Sequence, residues 1–191
     1  MLQDASGSDG RFNPQELESA LFSERSLLAE EILPPLVSQC QAQGTEPVVL
    51  GDKSVDISPA CNVLTQWDGR AFKNSRGVHL FRELAQEFSL DPQWSVPFDP
   101  AHPTTTPNTL NANAKVLQQL ATAMLRVQSA GIALDAPLGD VQFVERTLPD
   151  GTPSGERLPW EGGNNIEGGF NVFRPVLGND GTLIPRHVYT P

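Results

Sequence analysis

Apolar residues recur at helical spacing in four stretches of this chain. In the first, Leu17, Ala20, Leu21, Leu27 and Leu28 follow Asn13-Pro14-Gln15-Glu16. There Asn13 can cap, Pro14 takes the first helical position and Glu16 reaches back to the cap amide. A helix from residue 14 is predicted, ended or kinked at Pro34-Pro35 because each ring removes a donor and clashes with the preceding turn. A short helical turn at 36–40 comes next, then a loop over 41–57 with one strand at 47–50. In the second stretch Ser58 caps, Pro59 follows, and Ala60, Val63, Leu64 and Trp67 make one face before Gly69 supplies a left-handed stop. The third runs from about 75 to 88 with Leu80, Phe81, Leu84 and Phe88 on one side. Gly77 inside it costs helix propensity and implies a close approach of another backbone. The fourth, over 113–130, carries Val116, Leu120, Met124 and Val127 and ends at Gly131.

After Leu134 the period changes from helical to alternating. Residues 141–146 and 156–160 flank the turn Leu148-Pro149-Asp150-Gly151, and residues 170–176 and 182–189 flank Gly178-Asn179-Asp180-Gly181. Two hairpins are predicted. Helices first and strands later make the class α+β. The expected organisation is a flexible lead-in over 1–12, a helical subdomain over 13–135 and a β-hairpin segment over 136–191. Between 91 and 107 stand prolines 92, 97, 100, 103 and 107, with Trp94 and Phe98 among them. Each proline pushes its predecessor into extended backbone, so a stiff, irregular crossing is expected. The aromatics favour a segment pressed onto a surface over a bare linker.

Composition narrows the function. The 191 residues carry 13 Lys and Arg against 23 Asp and Glu, a net charge of −10. Half of that excess falls before Pro34, where Asp4, Asp9, Glu16, Glu18, Glu24, Glu30 and Glu31 face only Arg11 and Arg25. A solvated acidic helix face is the expected reading, rather than a cation site. Without a basic cluster, nucleic acid is not an expected partner. No apolar run approaches the ~18 residues of a membrane span, and the first residues lack the pattern of a secretory signal.

Few residues suggest chemistry on their own. The sequence has no G-x-S-x-G elbow, P-loop, H-E-x-x-H or C-x-x-C. His79, His102 and His187 stand on three separate segments, and a surface or capping role is expected for each; a small hydrolase site around His79 or His102 is the weaker alternative. Residues 162–169 are glycine-rich, but they lack a Lys and carry acids nearby, so tight turns and close packing are expected rather than a phosphate loop. Cys40 and Cys61 would meet if their two helices pack together. A disulfide is the favoured reading, and two buried thiols are the alternative.

Several segments read in order resemble one family. Cys61-Asn62-Val63-Leu64-Thr65-Gln66-Trp67-Asp68-Gly69-Arg70 is followed by Asn74-Ser75-Arg76-Gly77-Val78-His79-Leu80-Phe81-Arg82. Trp94 with Pro97-Phe98-Asp99-Pro100, Pro103 and Thr106-Pro107 continues the series. Gly131-Ile132-Ala133-Leu134-Asp135-Ala136-Pro137-Leu138-Gly139-Asp140-Val141-Gln142 and Gly168-Gly169-Phe170-Asn171-Val172 complete it. Together they resemble the penicillin acylase (penicillin amidase) family, in its acyl-homoserine lactone and aculeacin acylase branch. The resemblance covers most of the chain.

That resemblance implies part of a four-layer αββα N-terminal-nucleophile hydrolase, from the later part of its large chain. In such enzymes a precursor cuts itself, and the new amino-terminal Ser attacks a linear amide with its own α-amine as base. A backbone amide and an Asn stabilise the oxyanion. Neither element maps here: the chain begins with Met1, and Asn164 and Asn165 do not match the oxyanion position. Trp160-Glu161-Gly162 also departs from the family's frequent His-Gly, and the family's chain continues past Tyr189-Thr190-Pro191. The implied molecule is therefore a fragment of an acylase for N-acylated compounds, inactive alone, with the small chain and the rest of the large chain as partners. It would be periplasmic or secreted. No catalytic residue, cofactor or metal is assigned, and Trp94 and Phe98 would lie near the acyl pocket or simply pack. A freestanding acidic interaction module that keeps the acylase scaffold is the rival expectation.

Overall fold

The computed structural model describes residue 7 and residues 9–88, 94–111, 114–163 and 167–169. Among the described residues the class is mixed α+β, with six helices and three two-stranded antiparallel hairpins. The expected hairpin over 170–189, residues 164–166 and His187 lie outside them. No helix among them is long and apolar enough to cross a membrane.

Helix α1 (Pro14–Leu21) opens with the predicted capping box: the Glu16 amide donates to Asn13 Oδ1 at 2.9 Å, and the Asn13 amide donates to Glu16 Oε2 at 2.9 Å. It then stops, well short of Pro34. Glu24 adopts φ 49°, and the chain at 23–26 bonds across to 69–71 instead. The Ser26 amide donates to Gly69 O at 3.1 Å, the Ala71 amide to Glu24 O at 2.8 Å, and Arg70 Nη1 to Ser23 O at 2.6 Å. Tertiary bonds thus break what the apolar pattern joins.

Helix α2 (Leu27–Gln43) starts at the Ser26 cap and runs through Pro34 and Pro35. The helix does not end there. The carbonyls left without donors belong to Glu30 and Glu31, both exposed, so water can serve them. The core face of α2 is Ala29, Ile32, Leu36 and Cys40, all buried. Of the expected stripe, Leu17 44%, Leu21 40% and Leu27 45% are exposed, whereas Ala20 is buried and Leu28 packs partly against the core.

Strands β1 (Val48–Leu50) and β2 (Lys53–Val55) pair with Val48 opposite Val55. Only the first was foreseen. Helix α3 (Ser58–Gln66) begins without a side-chain cap at Ile57; Ser58 itself is the first helical residue, and its amide donates to Asp56 Oδ1. Helix α4 (Val78–Glu87) begins after Gly77, which sits outside the helix as its cap with φ 99°. A Cβ there would lie 3.1 Å from Val63 Cγ1 and 3.4 Å from Trp67 Cβ, so the close approach is to side chains of α3, not to another backbone.

The proline-rich crossing holds strand β3 (Trp94–Val96), which pairs with β4 (Asn108–Leu110) through Trp94 opposite Leu110. Trp94 packs on the core while Phe98 is exposed, so one aromatic is pressed onto the surface and the other is not. Helix α5 (Ala114–Ser129) buries Val116, Leu120, Met124 and Val127 as predicted. The short helix α6 (Leu138–Val141) leads to β5 (Phe143–Thr147), paired with β6 (Pro153–Pro159). Strands are therefore not confined to the last third of the chain. Two of the three hairpins lie among the helices.

The core gathers α2, α3, α4 and α5 around Ile32, Leu36, Leu64, Leu80, Phe81, Leu84 and Leu120. Cys40 of α2 and Cys61 of α3 are joined, with Cα atoms 5.8 Å apart across 21 positions. A loop of that length is worth about 3 kcal/mol in the chain-entropy account. Reductant is expected to raise the intact mass by the two hydrogens of the opened bridge, and Cys40→Ser with Cys61→Ser to lower unfolding stability by about 3 kcal/mol, read by denaturant melts.

Candidate functional site

The residues of the family resemblance converge on α4 and on the segments packed against it. Every residue of α4 from Val78 to Ala85 is buried, so its polar members need partners inside the protein. Arg82 has them. Its side chain is 2% exposed, and Nε donates to Glu167 Oε1 at 2.7 Å, where the Glu167 side chain is 1% exposed. Nη1 donates to Gln142 Oε1 at 2.5 Å and Nη2 to Gly162 O at 3.2 Å. Gln142 in turn donates from Nε2 to Trp160 O and Gly162 O, both at 3.0 Å. One guanidinium therefore ties α4 to the start of β5, the end of the β5–β6 hairpin and the glycine-rich stretch.

That stretch has its own geometric demand. A Cβ on Gly163 would fall 2.7 Å from Glu167 Oε2, so a side chain there would have to displace the carboxylate that Arg82 holds. Its glycines admit a buried anion of the protein itself, which extends the expected close packing. Beside Arg82, Glu83 is also sealed and accepts from Arg126 Nη1 at 3.1 Å, binding α4 to α5.

His79 departs from its expected surface or capping role. It is buried, and Nε2 lies 2.9 Å from Ala133 O. A carbonyl only accepts, so Nε2 donates, and the ring is neutral; burial pushes its pKa down to about 4. The missed signal is the length of the apolar run: Val78, Leu80 and Phe81 surround His79, and a helix buried all round leaves no polar face. His102 is exposed and meets Asp99 Oδ2 at 2.9 Å. The imidazole, with the Ala101 amide, holds the Asp99 carboxyl below the usual carboxylate range. The two histidines share no site. Among the described residues no group of three His, Cys, Asp or Glu gathers at metal-binding distance.

Two hollows remain. The larger, about 690 Å³, is lined by Asn62, Val63, Trp67, Asp68, Arg76 and Asp135 among others. Its motif residues work on local structure: Trp67 Nε1 donates to Arg70 O at 2.7 Å, Asp68 Oδ1 accepts from the Arg70 amide at 3.1 Å, and Arg76 Nη1 donates to Asp135 O at 2.5 Å. The smaller, about 310 Å³, lies between the first turns of α2, Trp94, residues 103–107 and Glu167-Gly168. Trp94 lines it and Phe98 does not. Among the described residues neither hollow is lined by a histidine or a cysteine.

Comparison with known proteins bears on the family. The family profile described as penicillin amidase matches residues 1–185. The chain is 30% identical over 179 residues to the acyl-homoserine lactone acylase PvdQ of Pseudomonas syringae pv. syringae, covering 90% of this chain and 21% of that protein. It is 31% identical over 173 residues to the PvdQ acylase of Pseudomonas putida, covering 87% and 20%. It is 29% identical over 180 residues to the aculeacin-A acylase of Actinoplanes utahensis, covering 92% and 21%. The chain thus spans about a fifth of the length of these relatives.

Two measurements test the buried groups. Arg82→Met is expected to cost about 3–5 kcal/mol in denaturant melts, because it strands the Glu167 charge, and Arg82→Met with Glu167→Gln to recover part of that loss. For His79 the folded pKa of about 4 lies below the unfolded value near 6.5, so the unfolded chain binds the extra proton. Its contribution is full above pH ~6.5, declines as pH falls and is gone below about 4. The stability advantage of wild type over His79→Gln should narrow by roughly 3 kcal/mol from pH 7 to pH 4.

Proposed function

The chain belongs to the penicillin amidase family, and from that membership we propose that it is part of an acylase hydrolysing linear amides of N-acylated compounds, of the acyl-homoserine lactone, penicillin or lipopeptide type. In this reading the nucleophilic amino-terminal Ser lies in polypeptide outside these 191 residues. The chain is the helical subdomain and hairpins that brace the catalytic sheet and wall the acyl-binding cleft. The observation that carries the proposal is the family match across residues 1–185, joined to a described structure in which Arg82, Gln142 and Glu167 form a buried frame.

Two structural features support its setting. The Cys40–Cys61 bridge suits an oxidising compartment, periplasmic or extracellular. Helix α1 leaves Leu17, Leu21 and the neighbouring Phe22 exposed, Phe22 by 61%. A helix of two turns gains little from propensity and needs its apolar face covered. The remainder of the acylase, its small chain and the rest of its large chain, is the proposed cover. The same exposed face favours the second reading, a freestanding acidic interaction module on the acylase scaffold.

The test is an amine-release assay on N-acyl homoserine lactones. The 191-residue chain is expected to show no turnover. A polypeptide of the relatives' length that includes it is expected to turn over and to lose activity when its nucleophilic Ser becomes Ala. Turnover by the short chain alone would overturn the proposal. An inactive longer polypeptide would leave the interaction module as the reading.

A further inference from the structure

The 310 Å³ hollow beside Trp94 is large enough for a small organic molecule. Its walls are chemically one-sided. Leu27, Leu28, Trp94, Pro103 and Pro107 supply an apolar lining, and Glu31 places an exposed carboxylate among them. The other acid of the lining, Glu167, is sealed and paired with Arg82, so its charge is already matched. Among the described residues no Lys or Arg lines this hollow.

The proline side of the hollow is held before any ligand arrives. The Asp99 amide donates to Thr106 Oγ1 at 2.8 Å, and Thr106 Oγ1 donates to His102 O at 2.8 Å. The His102 amide donates to Asp99 O at 2.9 Å, and Asn108 Nδ2 to Thr105 O at 2.6 Å. The Trp94 backbone is paired with Leu110, and its side chain packs partly against the core. A wall already ordered loses little freedom on binding.

We propose that this hollow binds an organic ammonium compound, its apolar body lying on Trp94 and the prolines and its cationic head meeting Glu31. An indole face attracts a cation through its ring quadrupole and a carboxylate attracts it directly, while the same two groups disfavour an anion. The net charge of −10 adds a long-range field of the same sign. The site is independent of the acylase reading and needs no residue outside the described chain.

The experiment uses the full chain with three probes of the same ring and similar length: phenethylammonium, 3-phenylpropionate and 2-phenylethanol. Binding is read by tryptophan fluorescence and by NMR shifts. The ammonium probe is expected to bind most tightly and the carboxylate not to bind. Glu31→Gln should weaken the ammonium probe roughly fivefold, and Trp94→Leu about tenfold with loss of the fluorescence change. Glu18→Gln, which removes an exposed charge from α1 instead, should leave affinity unchanged. Because Trp94→Leu can disturb the β3–β4 pair, the surface substitution Glu31→Gln decides. Equal binding of the three probes, no binding of the ammonium, or equal weakening by Glu18→Gln and Glu31→Gln would overturn the proposal.

Discussion

Arg82 carries a full positive charge into a place that water does not reach, and three separate segments must come to it. Its guanidinium donates to Glu167, Gln142 and the carbonyl of Gly162. A buried charge left alone would cost several kcal/mol, so the packed position of α4 is favourable only with residues 142, 162 and 167 in place. Such a pair adds little net stability compared with a well-packed apolar core. Its effect is to make one arrangement of the late segments far better than its neighbours, which is a statement about specificity.

The other features of the molecule follow from that demand. At Gly163 the Glu167 carboxylate lies 2.7 Å from where a Cβ would stand. Gln142 holds its place by bonding the carbonyls of Trp160 and Gly162, and this closes the β5–β6 hairpin back onto α4. On its other sides α4 is held by Glu83 to Arg126 of α5 and by His79 to the Ala133 carbonyl. The disulfide between α2 and α3 fixes the opposite side of the same core. In a protein that spans about a fifth of its relatives' length, these ties let the helices keep one geometry.

Local signals were legible in the sequence where the physics is local. The Asn13 capping box, the Val116 to Val127 face of α5, the Gly131 stop and the turn at 148–151 needed only neighbouring residues, and each is present. The break at 22–26 was not legible, because its cause is hydrogen bonding to residues 69–71, more than forty positions away. At Pro34 and Pro35 the local rule was overridden: the two lost hydrogen bonds leave the carbonyls of Glu30 and Glu31, exposed residues that water can reach, while the opposite face of the helix is buried in the core. The hollow beside Trp94 was half visible. The tryptophan was singled out, but Leu27, Leu28 and Glu31 come from a distant helix.

What the sequence by itself determined is the α+β character, the positions of most helices and, through motifs in a fixed order, the family. Those depend on short-range periodicity, on caps and on residue strings, all of which survive without knowing who touches whom. Tertiary structure alone decided which polar residues are buried and with whom. Arg82, Glu83 and His79 look like the polar face of an amphipathic helix until neighbours cover every side of it. Their roles belong to partners 43 to 85 positions away, and no pattern along one helix encodes a partner on another.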